Sequence, residues 1–145
     1  MAPRGTEMED RCIITVDIGT SSIRSVLFDE TGRILHIDQR DNPPDYLDDG
    51  RVEQDPATWK LNLAGTLASC AATSAHNSLI PAALGLTAQR SSVLPVDAEG
   101  RALHPAIMWQ DTRTEVLCAP MEAAQAEGMR RSGRRGDRVF PPVQL

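Results

Sequence analysis

The sequence predicts an α/β fold in which helices pack on a mixed sheet that opens with a three-stranded antiparallel meander. The first observation is a set of three short apolar segments near the N-terminus, at about residues 12–16, 23–28 and 33–39. Turn residues separate these segments, which predicts consecutive antiparallel strands. The second observation is a helix start at Asp55-Pro56, because Asp caps a helix well and Pro is tolerated at the first helical position.

The first helix should run from this start to about Ala75. Its apolar residues recur with the period of a helix and form a stripe made of Trp59, Leu63, Leu67 and Cys70. Such a stripe is the face that a helix turns towards a core. Asn77 could end the helix in a left-handed conformation.

The rest of the chain predicts shorter strands, turns and a second helix. A buried strand is expected at residues 82–86, and further strands are expected at 92–96 and 106–109. Residues 41–50 hold two prolines and four aspartates, which predicts a loop. A turn is expected at residues 97–100, and a second helix from Thr112 to about Glu127.

The turn between the first two predicted strands is rich in glycine and hydroxyl groups. It reads Gly19-Thr20-Ser21-Ser22, and Asp17 precedes it at the end of a strand. Hydroxyls and an amide N–H that no Cβ shields at Gly19 can cradle phosphate oxygens. A carboxylate beside them can hold a hydrated Mg²⁺. An ordinary hairpin with a polar turn explains the same residues equally well.

Composition limits the classes of function. The 145 residues, 41% of them hydrophobic, can bury one sizeable core. The net charge of −5 argues against a nucleic-acid-binding protein, which needs a basic face. Cys12, Cys70 and Cys118 lack metal-type spacing and read as thiols of a reducing compartment. No run of 18 apolar residues and no leader-type segment are present, so we expect a cytoplasmic protein without a membrane partner.

Three blocks of sequence, taken in order, resemble the FGGY family of carbohydrate kinases, which belongs to the actin-like ATPase superfamily and includes xylulokinases and glycerol kinases. The blocks are Val16–Arg24, Gly50–Pro56, and a third that comprises Gln89–Ser92, Asp97–Gly100 and Pro105–Arg113. The resemblance covers about residues 12–145 and implies a ribonuclease-H-like fold. It also implies an incomplete domain, with 11–145 as part of the N-terminal kinase domain. Residues 1–10 are polar and contain Pro and Gly, which predicts a disordered tail.

The resemblance implies ATP and Mg²⁺ as cofactors and a carbohydrate or polyol as substrate. The residues that would bind the nucleotide phosphates are Asp17, Gly19, Thr20, Ser21, Ser22 and Arg24, with Asp17 also at the metal. The residues that would bind the substrate are Gln89, Arg90, Ser91, Trp109 and Asp111. Trp109 could equally be a core residue, Asp111 could simply cap the second helix, and Arg24 could be an exposed strand residue.

The resemblance also points to groups that this chain lacks. The family's catalytic base lies beyond Leu145, so no catalytic residue is expected here and the chain alone should not turn over substrate. Glycerol kinases have a glutamate where this chain has Ser91 and a tyrosine where it has Val139. Sites that lose polar partners discriminate poorly, and we therefore favour a sugar, such as a ketopentose, or a related polyol over glycerol.

Two other interpretations stay open at this stage. The chain could be a non-catalytic actin-like domain with a binding or regulatory role, or a truncated gene product. A partial domain would leave apolar faces uncovered, and large exposed apolar patches drive association. We therefore expect possible self-association of the isolated chain.

Overall fold

The computed structural model describes residues 10–115, which belong to two compact units. The first unit contains residues up to 43 and residues 57–89, and the second contains residues 44–56 and those from 90 onward. The elements in chain order are β1 Arg11–Ile18, β2 Ser22–Asp29, β3 Ile34–Asp41, β4 Asp45–Tyr46, β5 Val52–Gln54, α1 Pro56–His76, β6 Ile80–Ala88 and β7 Ala106–Ile107.

The first unit is built on a mixed four-stranded sheet with the order β3-β2-β1-β6. Strands β1, β2 and β3 form the predicted antiparallel meander, and β6 pairs with β1 in parallel. A parallel pair needs a long crossover, and α1 provides it. Residues 82–86 do lie in a strand, but every residue of β6 is exposed. The expectation of a buried strand there is wrong, because β6 is an edge strand of this sheet.

The core of the first unit lies between α1 and the two central strands. Successive side chains of a strand point to opposite faces, and Cys12, Ile14 and Val16 of β1 all point into this core. They pack with Leu27 of β2 and Cys70 of α1. The alternation of the sequence thus selects which face of the sheet the helix covers.

The buried side of α1 is more polar than the predicted stripe. Its buried residues recur every four positions and are Asn62, Thr66, Cys70 and Ser74. The predicted stripe is therefore only partly correct, since its other members, Trp59, Leu63 and Leu67, are half-buried. Short side chains let the helix lie close to the sheet, and their hydroxyls need partners there.

Two hydrogen bonds supply these partners. Ser25 Oγ on β2 donates to Thr66 Oγ1 at 2.8 Å, and both residues are fully buried. Cys12 Sγ on β1 lies 3.4 Å from Ser74 Oγ. The helix is thus joined to both central strands by side-chain hydrogen bonds within the core.

The C-terminus of α1 differs from the prediction by one residue. Ser78, with φ 54°, takes the left-handed conformation that was expected of Asn77. The amide of Ser78 donates to Ala75 O and that of Leu79 to Ser74 O, which is the pattern of a Schellman motif. Asn77 Nδ2 instead donates to Thr73 O at 2.8 Å.

The second unit contains a three-stranded antiparallel sheet with the order β4-β5-β7. The predicted loop at residues 41–50 thus contains the short strand β4. Residues 92–96 form no strand, only the isolated bridges Val93–Ile107 and Val96–Ala102. The strand predicted at 106–109 is shortened to β7. Of the predicted second helix, Glu115 is helical, and the remainder, like the predicted tail and Val139, lies outside the described residues.

The chain forms the same tight turn three times, at Asp29–Arg33, Leu47–Arg51 and Asp97–Arg101. In each, the glycine amide donates to the carbonyl of the first residue, and the amide of that first residue donates to the carbonyl of the last residue. The three glycines have φ values of 83°, 82° and 78°. Glycine suits this left-handed position because it has no Cβ.

The aspartates that begin the first and third turns are held as carboxylates. The Thr31 hydroxyl, followed by Arg33, lowers the pKa of Asp29 to about 2 against a smaller effect of burial. The side chain of Arg101 likewise lowers the pKa of Asp97. Both turns are therefore stabilised by hydrogen bonds between residues of the turn itself.

The Thr66→Val variant tests the polar contact between α1 and the sheet. It leaves the buried Ser25 hydroxyl without its acceptor, and an unsatisfied buried hydroxyl costs about 1–3 kcal/mol. The double variant Ser25→Ala/Thr66→Val removes both groups and should recover most of this loss. Urea denaturation measures the free energies of unfolding, with Thr73→Val, a hydroxyl bonded within its own helix, as the control. A double variant at least as unstable as Thr66→Val would contradict the assignment.

Candidate functional site

The turn that joins β1 to β2 is closed by its own backbone. The Gly19 amide donates to Ser22 O at 2.9 Å. A Cβ on Gly19 would lie 3.0 Å from that same oxygen, closer than ordinary van der Waals contact. The expectation that this amide points to a ligand is therefore wrong, because its hydrogen is used inside the turn. Glycine is needed here so that the chain can close tightly.

Bonds from two neighbouring segments hold this turn in place. The Asn42 amide, just after β3, donates to Ser21 O at 2.8 Å. On the other side Thr20 Oγ1 donates to Gln89 Oε1 at 2.8 Å, and the Gln89 amide donates to Ile18 O at 2.8 Å. The turn is thus fixed by the ends of both β3 and β6.

A row of polar side chains crosses the sheet next to the turn. Asp17 of β1 is paired with Arg24 of β2 and with Thr87 of β6, and Arg24 is paired with Gln39 of β3. Directly paired residues lie on the same face of a sheet, and all four are exposed. Arg24 Nε donates to Gln39 Oε1 at 2.7 Å. The row thus places the acidic residue Asp17 and the basic residue Arg24 at paired positions next to the turn.

Sequence reasoning did not find Gln39. Its partner Arg24 lies 15 positions earlier in the chain, so the contact depends on the register of β2 and β3. The alternation of β3, counted from the turn, could have placed Gln39 on the exposed face.

The segment after β6 has an unusual backbone. Ser91 has φ 66°, a left-handed value for a residue with a side chain, which is uncommon outside Gly, Asn and Asp. Arg90 before it is exposed, and Ser92 Oγ lies 3.9 Å from Met108 Sδ. The strain at Ser91 therefore coincides with the segment predicted to bind substrate.

Trp109 and Gln110 follow β7 in the same unit as Arg90. The Trp109 side chain is 42% exposed, so it is not a core residue. Gln110 Nε2 lies 3.4 Å from the hydroxyl of Tyr46.

Asp111 is held by a cluster of ionised side chains. Arg113 bonds both Asp111 oxygens at 2.7–3.0 Å and Glu53 Oε1 at 2.6 Å. Asp111 Oδ2 also accepts from the Val52 amide at 2.8 Å, and Oδ1 from the Arg113 amide at 3.0 Å. The last bond joins the Asp111 side chain to the backbone two residues further along the chain. Glu53, which the sequence reasoning did not assign, completes the cluster.

Hydrogen bonding decides the charge states in this cluster. Burial alone would raise the pKa of Asp111, but the bonds from Arg113 and Val52 outweigh it and lower that pKa. The Asp111 and Glu53 hydrogen bonds raise the pKa of Arg113 further above its usual range. Asp111 and Arg113 are therefore both ionised at neutral pH.

The structure groups the predicted site residues by unit. The first unit brings together Asp17, the turn 19–22, Arg24 and Gln89, and the second contains Arg90, Ser91, Trp109 and Asp111. Within residues 10–115, no set of three or more His, Cys, Asp or Glu side chains could hold a metal ion. No helix among the described residues is long and apolar enough to cross a membrane.

Known proteins match this chain closely in both sequence and structure. Residues 12–141 match the N-terminal domain of the FGGY family of carbohydrate kinases. A glycerol kinase from Rhodospirillum centenum is 38% identical over 136 residues, which are 91% of this chain and 27% of that protein. One from Nitrosomonas eutropha is 36% identical over 140 residues, 92% of this chain and 27% of that protein. This chain thus spans about a quarter of the length of these relatives.

Solved structures give the same picture. The xylulose kinase from Rhodospirillum rubrum has a TM-score of 0.72 and 27% identity over 79% of this chain and 23% of its own. The Plasmodium falciparum glycerol kinase with ADP has a TM-score of 0.71 and 26% identity, over 79% of this chain and 23% of its own. The chain belongs to the FGGY family of carbohydrate kinases and matches the N-terminal part of their actin-like fold.

Variants of Arg113 test the charged cluster. Arg113→Met would leave two largely buried carboxylates without their counter-ion, which should lower the free energy of unfolding at pH 7 by about 2–3 kcal/mol. Arg113→Lys keeps the charge with fewer bonds and should recover part of this loss. Urea denaturation measures both, and Arg101→Met, which removes the exposed partner of Asp97, should change little.

The same variants should differ in their response to acid. The pKa of Asp111 is lowered in the folded chain, so its contribution to stability is present above the unfolded pKa of about 4 and is lost as pH falls below it. In Arg113→Met, burial without the counter-ion raises that pKa, and the loss on acidification should shrink or reverse. Equal acid sensitivity of both proteins between pH 7 and pH 3 would show that Arg113 does not control Asp111.

Proposed function

We propose that this chain is the N-terminal part of an ATP-dependent kinase that transfers the γ-phosphate to a hydroxyl of a sugar or polyol. The observation that carries the proposal is the turn at residues 19–22, fixed by the ends of β3 and β6, with the exposed Asp17 carboxylate and Arg24 guanidinium beside it. A related glycerol kinase of known structure contains ADP, which supports a nucleotide as the ligand of this turn.

The donor set of the turn fits a hydrated Mg²⁺ and phosphate oxygens. Mg²⁺ keeps several waters and is usually bound through one or two carboxylates plus phosphates, and Asp17 supplies one exposed carboxylate. Mg²⁺ would neutralise charge on the transferring phosphate. Thr20, Ser21 and Ser22 would contact the phosphates or the water shell of the metal, Gly19 would close the turn that presents these hydroxyls, and Arg24 would reach the γ-phosphate.

Residues of the second unit would bind the substrate. Arg90 carries an exposed guanidinium that can donate to sugar hydroxyls, and the exposed indole of Trp109 can pack on sugar carbons. Ser91 offers one hydroxyl where glycerol kinases have a glutamate, and for this reason we favour a sugar or a longer polyol over glycerol. Asp111 would contribute mainly by fixing the backbone after Trp109, because both of its oxygens are already bonded.

We assign no catalytic base within this chain. A kinase of this type needs a carboxylate that accepts the proton of the attacking hydroxyl, and by family resemblance that group lies beyond Leu145. Residues 11–145 would then be part of the N-terminal kinase domain, inactive alone, cytoplasmic and prone to self-association through uncovered apolar side chains. A non-catalytic family member would bind the same ligands without turnover.

The Asp17→Asn variant tests the assigned metal contact. In a full-length kinase that carries this segment, the change should lower kcat about 10²-fold or more, because it removes a charge that places Mg²⁺. Asp29→Asn is a matched control, since Asp29 also ends a strand before a turn but lies at the opposite end of the sheet. Wild-type turnover in Asp17→Asn would exclude this residue from the site.

Binding by the 145-residue chain itself tests the phosphate turn. The turn is present without an assigned adenine pocket, so MgATP and inorganic triphosphate should bind comparably, with Kd near millimolar, or about −4 kcal/mol. NMR titration of the amides around residues 17–24 measures both ligands. Micromolar, adenine-selective binding would contradict the proposed division of the nucleotide site.

A further inference from the structure

Gln89 bonds to the phosphate turn through both its side chain and its backbone. Thr20 Oγ1 donates to its Oε1 at 2.8 Å across 69 positions of sequence, and the Gln89 amide donates to Ile18 O at 2.8 Å. The family resemblance implied a substrate contact for this residue. We infer instead that Gln89 is a positioning residue, which fixes the Thr20 hydroxyl within the phosphate turn.

The direction of this hydrogen bond sets what Thr20 can do. A hydroxyl has one hydrogen and two lone pairs, and Thr20 gives its hydrogen to Gln89. Its oxygen can then only accept, which suits a water of a hydrated cation better than a phosphate oxygen. Thr20 would therefore act on the metal side of the bound ligand, beside Asp17.

The Nε2 atom of Gln89 supports the view that this residue is polar because of its bond to Thr20. Gln89 Nε2 is buried and has no hydrogen-bond partner among the described residues. Turning the amide over would exchange its two atoms and leave Oε1 without a partner instead. A buried polar atom without a partner is unfavourable, so an apolar side chain of similar size would suit packing better. The gain that offsets this cost is the bond to Thr20.

This inference rests on the proposed phosphate site but can be tested without a ligand. Hydrogen exchange of the Gly19 amide, which closes the turn onto Ser22 O, reports the order of the turn. Gln89→Leu and Thr20→Val should each lower its protection about fivefold through the loss of one hydrogen bond. The double variant should lower it no further, because both changes remove the same bond. Amides of the β1–β2 ladder should keep their protection.

Two further variants separate positioning from general stability. Gln89→Glu keeps an oxygen that accepts from Thr20, so the hydrogen-exchange protection of Gly19 should stay near the wild-type value. Inorganic triphosphate should bind at least fivefold more weakly to this variant, because a negative charge is added beside the turn. Thr31→Val is the control, since it removes a hydroxyl bonded to Asp29 in the turn at the other end of the sheet. It should change neither readout.

Each outcome decides the inference. Unchanged Gly19 protection in Gln89→Leu, or losses that multiply in the double variant, would overturn it. Fivefold loss with rescue by Gln89→Glu would support it. If the variants show these changes in Gly19 protection but the wild-type chain does not bind triphosphate, the positioning role stands and the proposed phosphate site fails.

Discussion

The hydrogen bond from Ser25 to Thr66, inside the core between α1 and β2, is the contact on which the first unit depends. Together with the Cys12–Ser74 contact it joins the helix to both central strands. The turn at residues 19–22 joins these two strands. Asn62 extends the same control by donating from α1 to Asp41 O, next to the Asn42 amide that holds the turn.

The second unit depends on charge instead of small buried hydroxyls. Two of the three blocks that identified the family bind each other within it, Gly50–Pro56 through Val52 and Glu53, and Pro105–Arg113 through Asp111 and Arg113. These residue types are therefore explained in part by their mutual contacts. A sequence motif of an enzyme family can thus encode the frame of a site as well as its ligands.

The sequence predicts the meander, the helix and the polar turn because local signals specify them. Alternation of apolar residues marks the strands, and Asp55-Pro56 marks the helix start. The extent of burial was harder to predict, because apolar residues in β6 do not show that the strand lies at an edge. The stretch at 92–96 looked like a strand, but Pro95 has no amide hydrogen for a ladder.

The candidate site was predictable to a similar degree. Asp17 and the turn 19–22 are contiguous in sequence, whereas the partners of Gln39 and Glu53 are distant and depend on strand register or on the path of the chain. The use of the Gly19 amide within the turn could not be inferred from residue types either. It depends on backbone geometry that a glycine permits but does not specify.

The threefold use of one tight turn has a practical consequence for engineering this chain. A Cβ at Gly32 or Gly100 would meet nothing within 4 Å, whereas one at Gly50 would lie 2.5 Å from Thr112 Oγ1. The first and third turns are therefore open to solvent at their tips, and exposed loop tips accept insertions well. An affinity tag or a fluorescent label belongs at one of these two tips, and the middle turn must keep its native residues.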